Sequence, residues 1–283
     1  MKHITAAMRN ALLPLSVLIF LNLFACGSFC QGNLLITPKR VVFDGEKRTE
    51  EINLANIGKD TATYTISLME LKMDDEGKFQ PANASDSSQH SAERNIRFFP
   101  RRVTLGPNEA QSVKIQVIRK NELATGEYRS HLFFRAMENS TPLGEEQGKD
   151  KKDSVISIRI TPLFGITIPV IIRVGESSSK INITNTSLHI EKDSIPVLKM
   201  TFIRSGNIST YGDIKVDFIS DEGKVTEVGF VKGLAVYTPN SRRNISLVLN
   251  TVPGVSYKSG KLNIQYSDES PRPVKLAEDE IVL

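Results

Sequence analysis

The chain has 283 residues, of which 36 are basic and 32 acidic, with a formal net charge of +4, two cysteines and no tryptophan. This length suits one or two domains of roughly 100 to 200 residues, and the composition is not that of a collagen, a coiled coil or a disordered chain. A mean hydropathy of −0.19 excludes a polytopic membrane protein, and so balanced a charge gives no sign of nucleic-acid binding.

The first thirty residues read as an export signal. Lys2 and Arg9 precede an apolar stretch from Ala11 to Phe24, followed by small residues. Interrupted by Pro14 and Asn22, the stretch falls short of the roughly 20 residues that span a bilayer. Two exits fit. Cleavage after Ser28-Phe29-Cys30 removes both Cys26 and Cys30, leaving a chain from Gln31 that relies on packing rather than disulfides. Alternatively, Leu23-Phe24-Ala25-Cys26 resembles a lipoprotein box, which makes Cys26 a lipid anchor, although the bulky Phe24 fits that box poorly.

Beyond residue 31 the pattern predicts strands at Leu34 to Ile36, Arg40 to Phe43, Glu51 to Asn56, Thr61 to Leu71, Asn95 to Phe99, Ser112 to Ile118, Tyr128 to Ala136 and Val155 to Val174. Ala82 to Arg94 and Glu138 to Asp153 read as polar loops. Gly175-Glu176-Ser177-Ser178-Ser179 is a break. A second series of short strands follows, at Lys180 to Thr184, Pro196 to Arg204, Asp213 to Ser220, Lys224 to Val231, Asn244 to Leu249, Lys261 to Tyr266 and Val274 to Leu283. No stretch keeps helical spacing. The predicted architecture is all-β: a signal over 1–30 and two sandwich domains over 31–175 and 176–283.

Catalytic patterns are missing. His90, His131 and His189 are isolated from one another, so no metal site or cofactor is expected. There is no Gly-x-Ser-x-Gly elbow and no phosphate-binding glycine loop. His131, between Ser130 and Leu132, reads as a surface strand position rather than a catalytic base. The informative feature is the run from Ile156 to Val174, in which every even position is apolar (with Pro162 among them) and most odd ones are polar or small. As one strand it spans roughly 60 Å, about three times an ordinary strand. Either a bulge splits it into two core strands, or its apolar edge is kept for another chain by β-augmentation.

Four segments carry a resemblance. Arg40-Val41-Val42-Phe43-Asp44-Gly45, Asn95 to Ile118, Tyr128-Arg129-Ser130-His131-Leu132-Phe133-Phe134 and Ile166 to Arg173 follow in the order of the first, middle, F and G strand segments of periplasmic pilus chaperones, the PapD-like family, which they resemble. The resemblance implies two immunoglobulin-like sandwiches set as an L around a cleft. It also implies an ATP-independent chaperone that lends its G strand to an incomplete pilus subunit and delivers it to an outer-membrane usher, with self-capping as a dimer open. The lent residues are Ile156, Ile158, Ile160 and Phe164, with Pro162 interrupting the ladder. Arg40 matches the arginine that holds the subunit's C-terminal carboxylate, and Arg173 an arginine that joins the domains.

Two departures stand out. Pro169 occupies the place of the family's anchoring lysine, leaving Arg40 alone or with another cation such as Lys199 or Arg204. Ser130 occupies the place of a glutamate on the F strand, which puts the interdomain charge pair in doubt. Ile168-Pro169-Val170 is more similar to the alternative or archaic branch. The rival reading is a surface-attached structural or adhesive protein of tandem immunoglobulin-like domains, anchored through Cys26.

Overall fold

The structure is a computed structural model that describes residues 34–82, 90–137, 164–192 and 195–283. Alternation of apolar and polar residues builds its strands. In Ala110–Val117 the side chains of Val113, Ile115 and Val117 are buried while Lys114 and Gln116 between them are exposed, the period-2 pattern of a sheet with one wet face.

The first sandwich packs two sheets. One has the order β1 (Leu34–Thr37), β3 (Thr49–Asn56), β9 (Ala110–Val117), β7 (Ile96–Phe99). The other has the order β2 (Val41–Phe43), β11 (Gly165–Val174), β10 (Gly126–Ala136), β4 (Ala62–Met69), β8 (Arg102–Leu105). Their inner faces meet in a core that includes Phe43, Ile52, Leu54, Leu105, Ile115, Leu132 and Phe134. A hairpin of β5 (Leu71–Met73) and β6 (Phe79–Pro81) stands apart from both sheets.

The second sandwich pairs β12 (Ser179–Ile190), β13 (Pro196–Gly206) and β16 (Arg242–Val248) in that order. Facing it is a sheet ordered β15 (Val225–Val236), β14 (Thr210–Ile219), β17 (Lys261–Ser267), β18 (Lys275–Val282). Leu198, Phe202, Ile214, Val216, Leu262, Ile264 and Tyr266 belong to its core. Gly175, at φ +75, opens the link from β11 to β12. Both sandwiches lie in one compact unit, Leu34–Leu283.

The all-β expectation holds, and helical structure among the described residues is confined to short 3-10 turns such as Glu93–Asn95 and Lys120–Glu122. The stretch Thr61 to Leu71 is two strands rather than one. At Glu70 the chain leaves β4 for β5, and the Glu70 carbonyl accepts from the amide of Ala82 at the return of the hairpin. β8 is a strand the residue pattern did not predict, four residues confined between Pro100 and Gly106. Of the long apolar run, Phe164 to Val174 is described. Ile156, Ile158 and Ile160 lie outside the described residues, as does the whole of the Glu138 to Asp153 loop.

Candidate functional site

β11 sets the geometry. Its even side chains Ile168, Val170 and Ile172 are buried in the first core, with Ile166 and Val174 packed at its margin, so Thr167, Pro169, Ile171 and Arg173 face outward. β10 runs antiparallel beside it, pairing Glu127 with Arg173, Arg129 with Ile171 and His131 with Pro169. These residues share one outward face. On the other side of β11, β2 pairs in parallel with Val170, Ile171 and Ile172 alone. From Gly165 to Pro169 the outer edge of β11 has no neighbouring strand among the described residues. Phe164, at the head of this open edge, is 51% exposed.

Arg40 precedes Val41, the partner of Val170, and so stands where β2 stops and the open edge begins. It shares the outward face with Val42 by alternation. Its guanidinium carbon lies 4.4 Å from the centroid of the Tyr211 ring of β14, a cation–π contact with the second sandwich. Nε of Arg40 is buried without a hydrogen-bond partner, and no ion pair neutralises the group among the described residues. Burial lowers its pKa from the ordinary arginine value, opposed by the nearby Tyr237, yet guanidinium stays protonated in proteins. A buried cation that lacks its anion is costly unless something supplies one. Burial pushes the Tyr211 hydroxyl up to about 12, against the opposing pull of the Arg40 charge.

The second sandwich covers the rest of this face. Ile171 and Met73 pack with Ala235 and Tyr237, and Val42 and Tyr211 lie at the margin of that cluster. Arg129, 1% exposed, stacks 4.3 Å from the Tyr237 centroid and donates through Nη1 to the Thr238 carbonyl at 3.0 Å. Arg173 donates through Nε to Glu127 Oε2 at 3.2 Å and through Nη2 to the Ser209 carbonyl at 3.2 Å, and its Nη1 lies 3.9 Å from Asp44. Glu127 also accepts from the Ser209 amide at 2.9 Å, from Thr238 Oγ1 at 3.2 Å and from the Ser209 hydroxyl. The partner of Arg173 is therefore Glu127, three residues before Ser130 on the same strand. Ser130 instead donates to Glu70, whose carboxyl pKa burial raises, and accepts from the Ala92 amide at 3.0 Å.

His131 is 1% exposed, a correction to its reading as a surface position. It points away from the first core, but the Phe79 ring covers it edge-on at 5.3 Å. Neither ring nitrogen has a partner, and burial, aided by the charge of Arg129, pushes its pKa down to about 3. The two cations suggested as companions of Arg40 make contacts within the second sandwich. Arg204 donates to the carbonyls of Asn240, Gly206 and Ile208 within its own sandwich. Lys199 is half exposed, 3.9 Å from Glu191. Arg129 joins Arg40 and Arg173 as a cation on this face, hidden in the sequence because an alternating polar strand face reads as solvated.

Among the described residues no group of three or more His, Cys, Asp or Glu is placed to hold a metal ion. Nor is any helix among them long and apolar enough to cross a membrane.

No protein-family profile matches the chain, and no curated protein matches it. Solved structures similar to it are chaperones of fimbriae and pili. The YadV chaperone is 11% identical over 89% of this chain and 100% of that one, with a TM-score of 0.44. The Escherichia coli chaperone DraB is 12% identical over 88% and 95%, with a TM-score of 0.42. The chaperone–tip subunit complex CsuC–CsuE of Acinetobacter baumannii, from an archaic chaperone–usher system, is 11% identical over 75% and 89%, with a TM-score of 0.37.

Proposed function

We propose that this protein is a non-enzymatic, ATP-independent periplasmic chaperone that caps incomplete pilus subunits by lending them a strand. In this reading Ile156, Ile158, Ile160 and Phe164, leading into the open edge of β11, fill the groove of the guest. Arg40 holds the guest's C-terminal carboxylate, and an outer-membrane usher receives the complex. The observation that carries the reading is the placement of Arg40, a mostly buried guanidinium without an anion at the point where β2 ends and the free edge of β11 begins. A strand laid on that edge and ending at Arg40 runs parallel to β11, as β2 does. Its terminal carboxylate then meets a donor fork suited to it.

The energetics are adequate. Four large apolar side chains at about 1.5 to 3 kcal/mol each give a gross gain on the order of 6 to 12 kcal/mol, reduced by the cost of ordering both chains. This holds a guest without ATP while leaving it open to displacement by a better-fitting strand.

The test is co-expression with candidate fimbrial subunits and co-purification. Arg40→Ala, and separately Ile158→Asp with Ile160→Asp, are expected to cut recovery of the subunit at least tenfold. A subunit extended by two residues at its C-terminus should be lost to the same degree with the parent protein. Undiminished recovery with both variants sinks the reading. Recovery of the protein with membranes through a lipidated Cys26, and no subunit bound, points to the tandem-domain surface protein instead.

A further inference from the structure

The β5–β6 hairpin belongs to the first sandwich by sequence, yet it reaches across to the second. Its turn is internally rigid. Asp74 Oδ1 accepts from the amides of Glu76 and Lys78 at 3.0 and 2.8 Å, and the Gly77 amide donates to the Asp74 carbonyl at 3.0 Å. From this turn the Asp75 carbonyl accepts from the amide of Asn244 at 2.6 Å. Asn244 lies on β16, the edge strand of its sheet, so the hairpin caps part of an otherwise open edge. Nδ2 of Asn244 donates to Glu76 Oε1 at 3.3 Å, Nδ2 of Asn240 donates to the Met73 carbonyl at 2.7 Å, and Arg242 Nε lies 3.7 Å from Asp75 Oδ2.

Packing reinforces these bonds. The Phe79 ring touches those of His131 and Tyr237, at 5.3 and 6.0 Å between centroids, bridging both sandwiches. Gly77, at φ +80, lies against the Arg243 guanidinium so closely that a Cβ there collides with it. Any other residue at this position must both adopt a strained backbone and push Arg243 away.

We infer that the β5–β6 hairpin is a clamp that positions the second sandwich over Arg40. The path is continuous. Met73 of the hairpin packs in the same small cluster as Ala235 and Tyr237, Ala235 pairs across strands with Tyr211, and Tyr211 stacks on Arg40. With the clamp closed, Tyr211 screens one face of the guanidinium and Nε is sealed. With it open, Arg40 becomes an ordinary flexible surface arginine that offers a carboxylate no fixed fork. Gly77 and Asn240 are thus positioning residues for the anchor. The importance of Arg40 rests on the proposed function, whereas the clamp itself is measured on the free protein.

The experiment compares the parent with Gly77→Val, which wedges the turn off Arg243, and Asn240→Ala, which removes a bond from the opposite sandwich. Amide hydrogen exchange at Asn244 reports the clamp. Exchange of the Arg40 Nε–H proton in NMR spectra, assigned by its disappearance in Arg40→Lys, reports the anchor, and small-angle scattering reports overall extension. Both variants are expected to speed exchange at Asn244 and at Arg40 Nε at least tenfold and to raise the radius of gyration. Faster exchange at Asn244 with Arg40 Nε unchanged reduces the hairpin to a local ornament and overturns the inference. Parent-like exchange at Asn244 in both variants overturns it as well, because these contacts then hold nothing. Failure to capture subunits with the clamp behaving as expected counts against the chaperone reading alone.

Discussion

Glu127 and His131 lie four residues apart on the outward face of β10, both buried, and their surroundings differ. Arg173, Ser209 and Thr238 surround the Glu127 carboxylate with donors. Removing one partner of such a pair leaves a charge without compensation, so Arg173→Met is expected to destabilise the fold by about 3 kcal/mol in urea unfolding. His131 has no partner, and its pKa falls from 6.5 to about 3. Between those values the unfolded chain binds a proton that the fold rejects, so stability is full above pH 6.5 and falls as pH falls towards 3. At about 1.4 kcal/mol per pH unit, the parent should lose about 2 kcal/mol more than His131→Leu between pH 7 and pH 5. Equal losses in the two proteins contradict the unpartnered ring. Arg40 and Arg173 were singled out in the sequence because short motifs surround them. Glu127, Arg129 and His131 were not, since an alternating strand leaves open whether water or another sandwich covers its polar side.

Strands were read well where one face alone is buried, as in β3, β9 and β17, because alternation is then undiluted. The reading failed where a strand changes sheets. Nothing in Ser67-Leu68-Met69-Glu70-Leu71 announces the exit from β4, since apolar residues continue through it, and the switch is made by Glu70 bonding to Ser130 and to the far end of the hairpin. Gly212 is a second case. It sits at the register break of β14, where a Cβ would collide with the Ser267 carbonyl of β17 and with Tyr266. Backbone cannot yield as a side-chain tip can, so Gly212→Ala is expected to cost about 1 to 3 kcal/mol. Because Gly212 adjoins Tyr211, the same variant should weaken subunit recovery, whereas a Lys224→Ala control on an exposed loop should leave recovery unchanged.

Across the whole molecule, two hydrophobic cores are joined by a seam of few residues, with Tyr237 at its centre between Met73, Ile171 and Arg129. A single cooperative unfolding transition is expected of the parent by calorimetry, and two resolved transitions of Tyr237→Ala, whose lost contacts uncouple the cores. One unchanged transition in that variant would show that the seam does not couple them. The division into two series of strands was plain from the polar break after Val174. The seam was not, because its members come from β2, β5, β11, β14 and the end of β15, which only the folded chain assembles. The abrupt end of β2 has a consequence at this scale. If Arg40 holds a guest's terminal carboxylate as proposed, the guest's side chains are phased from its own last residue. Moving by a single residue would turn every apolar side chain to the wrong face. On the proposed function the molecule would be a gauge of chain ends, distinguishing guests by the parity of the distance between their terminus and their first large apolar residue, before any side-chain pocket is consulted.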